Sequence, residues 1–510
     1  MEFARKSFIC IILAIPLLLQ AHEPVDLDMV HRIRQEGLRN SQIRDISFYL
    51  TDVAGPRLSG STGLANASSW AVEQMKEWGL SNVELAPWGE FGRGWENEKF
   101  YVSMTKPYYQ HLIALPRAWT RGTNGKVTTN PVLVDIRDEE DLERYRGKLR
   151  GKIVVTPVNS EPEISFQPLA SRWDDEELER LAKYPEVTAP SYGRAPRGPA
   201  SGWLAQRALN QKINQFLEEE GVVARLHASG TFGAVRSHGR GFDVNVEPQL
   251  AQVDMTFEHY GRIVRLLEAG IEVELELDIQ NRFLYDDLMG YNVVAEIPGA
   301  DRRLRDEYVL IGAHLDSWHG ATGGNDNAAG VAVMMEVMRI LKDLDVQPRR
   351  TIRIALWGAE EQGLHGSRNW VRQRYYDPAD GGKKPGYEKL SAYYNVDNGS
   401  GRIRGIYLQE NDALRPVFES WFEPLQDLGV STVTMRRTGS TDHVAFDAVG
   451  LPGFQFIQDR LDYGRGYHTN MDTFERMHLG DMMQAATVVA VLVYHTAMRD
   501  DKLPRKPFEP

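Results

Sequence analysis

The chain has 510 residues, 42% of them hydrophobic and 25% charged, the make-up of a globular protein with more than one core. Its formal net charge of −12 opposes bulk attraction to nucleic acid or to anionic lipid surfaces. The single cysteine, Cys10, excludes a disulfide framework and a thiolate metal site within the chain.

Taken in order, Arg5 and Lys6, the apolar run Phe8 to Leu19 and then Ala21 read as a secretory signal over residues 1–21. The run is shorter than the roughly 20 residues a membrane helix needs, and no later stretch reaches that length, so an exported chain with no membrane span is expected. Ile43 to Val53 carries apolar residues at helical spacing and stops at Gly55-Pro56. A small-residue turn, Pro56 to Ser61, leads into a second helix with Trp70, Met75 and Trp78, and Asn82 to Pro87 and Lys99 to Met104 read as strands. From about His111 to Arg282 short strands dominate (Val132 to Ile136, Lys152 to Thr156, Val222 to His227), with a Pro/Gly-rich span from Tyr184 to Gly202. Ile271 to Ile279 alternates without a fault, as a strand with one wet face does. The expected organisation is one domain built from residues 22–110 and 283–510, interrupted by a β-rich insert at 111–282.

Tyr308 to Leu341 organises the second half: a buried strand, then His314 and Asp316, a glycine-rich loop carrying Asp326, and an apolar helix. Beyond it, Thr351 to Trp357, Ala392 to Val396, Gly405 to Gln409, Ser431 to Arg436 and Gly453 to Gln458 read as strands. Gly366 to Arg374, Leu414 to Leu428 and Asp481 to Met498 read as helices. This alternation implies an α/β fold, a mixed and mainly parallel sheet covered by helices on both faces. Ligand sites in such sheets lie where strands end, and His314, Asp326, Glu360, Glu361, Asp397 and His468 all follow strands directly. Singly each has a plainer role: Asp326 could cap a helix, Asp397 could make a turn and the Glu pair could be solvated. Together, two histidines and four carboxylates suit Zn²⁺ without a thiol, and an adjacent Glu pair lets one carboxylate bind metal while the other carries a proton.

Seven segments in this order, GPRLSGS (Gly55 to Ser61), HLDSW (His314 to Trp318), NDNAAGV (Asn325 to Val331), WGAEEQGLHGS (Trp357 to Ser367), NVDNGSG (Asn395 to Gly401), STDHVAF (Ser440 to Phe446) and YHTNMDT (Tyr467 to Thr473), resemble the di-zinc exopeptidases of the aminopeptidase-like fold. Among these the chain is most similar to carboxypeptidase Q-like proteins. The resemblance implies two Zn²⁺ per chain, one held by His314, Asp326 and Asp397 and the other by Asp326, Glu361 and His468. Glu360 would be the general base, Asp316 the carboxylate that orients His314, and Tyr467 the oxyanion donor, with His443 as the alternative. It also implies hydrolysis by metal-activated water near the termini of small peptides or dipeptides. Peptides are the expected partners, with homodimerisation left open. The insert is similar to a protease-associated domain in GKIVV (Gly151 to Val155) and FLEEEGVVARL (Phe216 to Leu226).

Two rival readings remain at this point. A glutaminyl cyclase-type acyltransferase on the same scaffold would use one zinc, and the long insert argues against it. A non-catalytic binding protein would be expected to have lost ligands, and none is missing here. Arg437, Arg460 and Arg465 are candidate anchors for a substrate carboxylate. The chain departs from its relatives at Gly323-Gly324, before the shared aspartate, and at the insert around Lys383 to Gly386.

Overall fold

The apolar stretches of the second half converge in the middle of an eight-stranded sheet. The computed structural model describes residues 23–158, 161–184 and 200–508, so the expected leader and most of the Tyr184 to Gly202 span lie outside the described residues. Strand order in the sheet is Ser81–Glu90, Met289–Ile297, Thr351–Trp357, Tyr308–His314, Leu390–Asn395, Gly453–Gln458, Ile403–Tyr407 and Thr432–Thr434. The four central strands from Thr351–Trp357 to Gly453–Gln458 are parallel, and antiparallel pairing enters on both sides of them. The sheet is thus mixed, and the expected architecture is the one observed.

Parallel strands need both faces dry, and Tyr308–His314 is buried at every position. One face is covered by the helices Leu27–Arg39, Thr62–Glu77, Ala329–Asp343 and Leu479–Met498, whose apolar residues form one continuous core with the strands. Every residue from Ala329 to Leu341 is buried, so this helix reads as apolar all round rather than as a stripe. His365–Arg374 and His443–Asp447 cover the other face, over a core of Trp357, Trp370, Tyr375, Tyr393 and Phe446.

From Tyr308–His314 the chain crosses to Thr351–Trp357 on one side and later to Leu390–Asn395 on the other. This reversal opens a crevice at the carboxyl ends of the strands, the usual place for a ligand site in such a sheet.

Two smaller sheets stand beside this one. The first has the order Gln110–His111, Gly94–Lys106, Glu274–Leu284, Val127–Thr129; the second has Ala114–Pro116, Ala251–Met255, Ala224–Ala228, Ile153–Val155, Pro131–Leu133. They share a core in which Val102, Met104, Leu275 and Leu277 meet Val155, Leu226, Val253 and Met255. The strand read at Lys99 to Met104 therefore pairs with Glu274–Leu284 rather than in the large sheet. Alternation alone carries no information about which partner a strand takes.

Two segments of this region are fastened to the loop after Gly453–Gln458. Ser171 and Leu461 exchange backbone hydrogen bonds of 3.0 and 2.8 Å, while Arg172 reaches the buried Asp459 at 2.7 Å and Asp481 at 2.5 Å. Further along, Ser237 N donates to His468 O at 2.6 Å and Asn470 N to Val235 O at 3.0 Å. Among the described residues no helix is long and apolar enough to cross a membrane.

Candidate metal centre

His314 is the last residue of its strand and is fully buried. Its Nδ1 lies 3.0 Å from the main-chain oxygen of Asp316, which leaves Nε2 facing Asp326 Oδ1 at 3.1 Å and Asp397 Oδ1 at 3.4 Å. On the other side of the same aspartate, His468 Nε2 is 3.0 Å from Asp326 Oδ2 and 2.9 Å from Glu361 Oε2. The donor atoms thus form two groups, His314 with Asp326 and Asp397, and Asp326 with Glu361 and His468, each with its atoms within 4.8 Å of one another. Asp326 belongs to both.

The local chain is built to free Asp326 for this position. The helix-capping duty passes to Asn327, whose side-chain oxygen accepts from Gly330 N at 3.0 Å while its amide donates to Val396 O at 2.9 Å. Asp472 accepts from the backbone N–H of Asn325 at 2.6 Å and of Asp326 at 3.0 Å, fixing the loop from below. The Gly323-Gly324 pair is required by space. Gly323 has φ +59° and an added Cβ would sit 2.3 Å from Ser317 Cβ, while at Gly324 it would sit 2.6 Å from Thr473 O.

Asp316 holds the neighbouring loop more than it holds the imidazole. Its carboxylate accepts from Glu360 N at 3.1 Å, Glu361 N at 3.2 Å and Ser59 Oγ at 3.1 Å, whereas its closest approach to His314 Nδ1 is 3.7 Å. The Glu pair is therefore set in place through its own backbone, and Ala359 before it takes φ +57°. Glu361 points at His468; the Glu360 carboxylate makes no hydrogen bond among the described residues.

The electrostatics are those of crowded buried acids. Burial and the nearby Asp326 push Glu361 up to about 7, and burial, with Asp397 and Asp442 adding to it against His314, drives Glu360 well above the usual carboxylate range. Burial would raise Asp326 too, but hydrogen bonds from His314 and His468 outweigh it and hold it below its ordinary value. Burial would lower His468, yet Glu361 and Asp326 lift it to about 10. Within the two ligand groups, Glu361 Oε1 and Asp397 Oδ1 are buried without a hydrogen-bond partner among the described residues. Carboxylates with an orphaned oxygen, gathered with two imidazoles around a shared aspartate, are what a divalent cation satisfies, in charge and in coordination, so the residues fit a metal.

The other expected residues lie around this cluster. Tyr467 stacks on Tyr463 at 5.2 Å between ring centroids, touches the His468 ring at 4.6 Å and carries the Arg236 guanidinium 4.6 Å from its own centroid. His443 turns its Nε2 to Thr438 O at 3.1 Å, and burial pulls its imidazole down to about 4. Of the candidate carboxylate anchors, Arg437 is paired with Asp447 at 3.0 Å and Arg460 lies over Trp173. Four residues were not singled out from sequence: Tyr463, Asp442, Asp472 and Arg57. Burial and the charges of Asp326, Asp397 and Glu361 raise the Tyr463 phenol well above its usual range, and its ring stacks on Tyr467 beside His468. Asp442 is wholly buried, and burial pushes its carboxyl up to about 7. Asp442 and Asp472 stand inside motifs already quoted, so their acidity at a strand-end loop was the available signal.

A family model described as Peptidase family M28 matches residues 292–493, a span that contains every residue of both ligand groups. The chain carries an M28 metallopeptidase domain. Beyond that domain, carboxypeptidase Q of Pongo abelii is 27% identical over 460 residues, covering 89% of this chain and 85% of its own length. The solved structure of a peptidase M28 precursor from Shewanella amazonensis SB2B is 25% identical, with a TM-score of 0.65, covering 95% of this chain and 98% of that one. A zinc aminopeptidase from Bacillus subtilis shares the fold, with a TM-score of 0.53 at 17% identity over 89% of this chain and 93% of its own. In these long matches the similarity extends past the M28 domain into the two smaller sheets.

Proposed function

We propose that the chain is an exported zinc exopeptidase that hydrolyses small peptides or dipeptides at a terminus. The observation that carries this reading is the sharing of Asp326 by two groups of ligand atoms. His314, Asp326 and Asp397 would hold one zinc, and Asp326, Glu361 and His468 the other. Bound there, the ions would supply Lewis acidity to the scissile carbonyl and to water. Two groups, rather than one, favour hydrolysis over the cyclase reading.

The protein's own contribution is proton transfer and placement. Glu360, half-buried and without a hydrogen-bond partner among the described residues, takes a proton from the attacking water and delivers it to the leaving amine nitrogen. Asp316 fixes the carboxylate's position through the Glu360 and Glu361 amides. The developing oxyanion takes a phenolic hydrogen bond from the stacked tyrosine pair, and Tyr463, whose phenol feels the charges of Asp326, Asp397 and Glu361, is the member we favour over Tyr467. Tyr463→Phe is expected to lower kcat by roughly 10²-fold with a smaller change in KM, and Tyr467→Phe by less. The reverse order in steady-state kinetics would return the role to Tyr467.

The two smaller sheets, which start at Gly94 and end at Leu284, would form a protease-associated-like module that frames the mouth of the site. The test of the whole reading is a panel of dipeptides and longer peptides, free or blocked at either end, with zinc-loaded protein. Release of terminal residues, lost when one end is blocked, is the expected result, and the blocked end that matters identifies an amino- or a carboxypeptidase. Cleavage only at internal bonds, or of no peptide, would overturn it.

A further inference from the structure

Three of the largest fully buried side chains are arginines, and two of them answer to carboxylates: Arg339 pairs with Glu336 at 2.8 Å and Arg350 with Glu307 at 2.7 Å. Arg57 is different. It is 0% exposed, yet each of its side-chain hydrogen bonds goes to a main-chain carbonyl. Nε donates to Leu315 O at 2.7 Å, Nη1 to Leu50 O at 2.7 Å and Thr322 O at 2.6 Å, and Nη2 to Gly323 O at 2.9 Å. Its backbone is tied to the same place, because Arg57 N donates to Ser317 Oγ at 3.1 Å and Ser317 N to Arg57 O at 3.0 Å.

These partners are not scattered. Leu315 and Ser317 flank Asp316, and Thr322 and Gly323 open the loop that ends in Asp326. An unpaired buried guanidinium costs several kcal/mol unless something nearby compensates it. Carbonyl dipoles supply part of that compensation, and the rest comes from the carboxylates whose charge it feels, Asp472, Asp316, Asp326 and Glu361. Inward-pointing carbonyls around a positive centre, backed by acids, is how a protein surrounds a bound cation.

We propose that Arg57 is a built-in counter-cation of the metal centre, neutralising the acid cluster jointly with the bound ions. It keeps the ligand loops assembled when no ion is present, and by repelling incoming cations it moderates their affinity. This inference rests on the metal-site reading given above.

The test uses two variants that both lose the planar fork but differ in charge, Arg57→Lys and Arg57→Met. Zinc dissociation constants come from competition with a chromophoric chelator, and melting temperatures are taken with and without zinc. If the charge acts as proposed, Arg57→Met binds zinc tighter than Arg57→Lys by roughly 10-fold, the scale of a unit charge across a buried site. Metal-free Arg57→Met also melts below metal-free Arg57→Lys, and the gap closes when both are loaded. If Arg57 only staples loops, the two variants bind zinc equally, or the Met variant binds more weakly, and the proposal falls. Should Arg57→Met not fold without zinc, Arg57→Gln takes its place in the comparison. Wild-type protein that binds no zinc would remove the metal-site reading itself, whereas zinc-binding wild type with indistinguishable variants removes only this inference.

Discussion

Glu360→Gln is expected to lower kcat by roughly 10²- to 10⁴-fold while leaving zinc content unchanged, because the amide keeps the shape of the side chain and loses its ability to accept a proton. Retained metal follows from the geometry: Glu360 belongs to neither group of closely spaced ligand atoms, whereas its neighbour Glu361 lies 2.9 Å from His468 Nε2. The backbone bonds from Asp316 go to the amides of both glutamates and survive the change. Steady-state kinetics with elemental analysis of the same sample checks both halves. An enzyme that keeps a tenth or more of its turnover would assign the proton transfer elsewhere.

A larger loss is expected for Asp326→Ala. Its two oxygens face different histidines, at 3.1 and 3.0 Å, so one substitution strips a donor from both groups. Zinc content should fall from two equivalents towards none, and activity with it. The melting temperature, which is expected to rise with zinc in the wild type through preferential binding to the folded state, should stop responding. Asp397→Ala, which touches one group only, is the internal comparison: it should keep the zinc held through Glu361 and His468. If Asp326→Ala retains two tightly bound ions, the shared-aspartate arrangement is wrong.

Much of the fold was legible because buried parallel strands announce themselves as apolar runs bounded by polar loops, as at Tyr308 to Ala313. The ligand residues were legible for a related reason: His314 and Asp397 stand at the ends of such runs, and Asp326, Glu361 and His468 lie in the loops beyond them. What stayed hidden depends on distance in space rather than pattern in sequence. The strand around Lys99 to Met104 alternates as a strand of either sheet would, and only pairing with Glu274–Leu284 decides. Asp316 follows a ligand histidine by two residues, a spacing that suggests a bond to the ring; the structure instead turns its carboxylate towards the amides after a different strand. Arg57 was invisible as a site residue because its partners are backbone atoms more than 250 positions away, apart from Leu50 and Gly55. No side-chain pattern records a carbonyl.

The fastening of residues 171–172 and 235–237 to the loop after Gly453–Gln458 limits how this protein can be re-engineered. Leu461, His468 and Asn470 find their backbone partners at Ser171, Ser237 and Val235, in connecting segments outside the large sheet, so trimming the chain to residues 292–493 would leave those groups bare and the His468 imidazole unguided. A minimal version, or a chimaera with another specificity, would have to import both seams together with the covering strands.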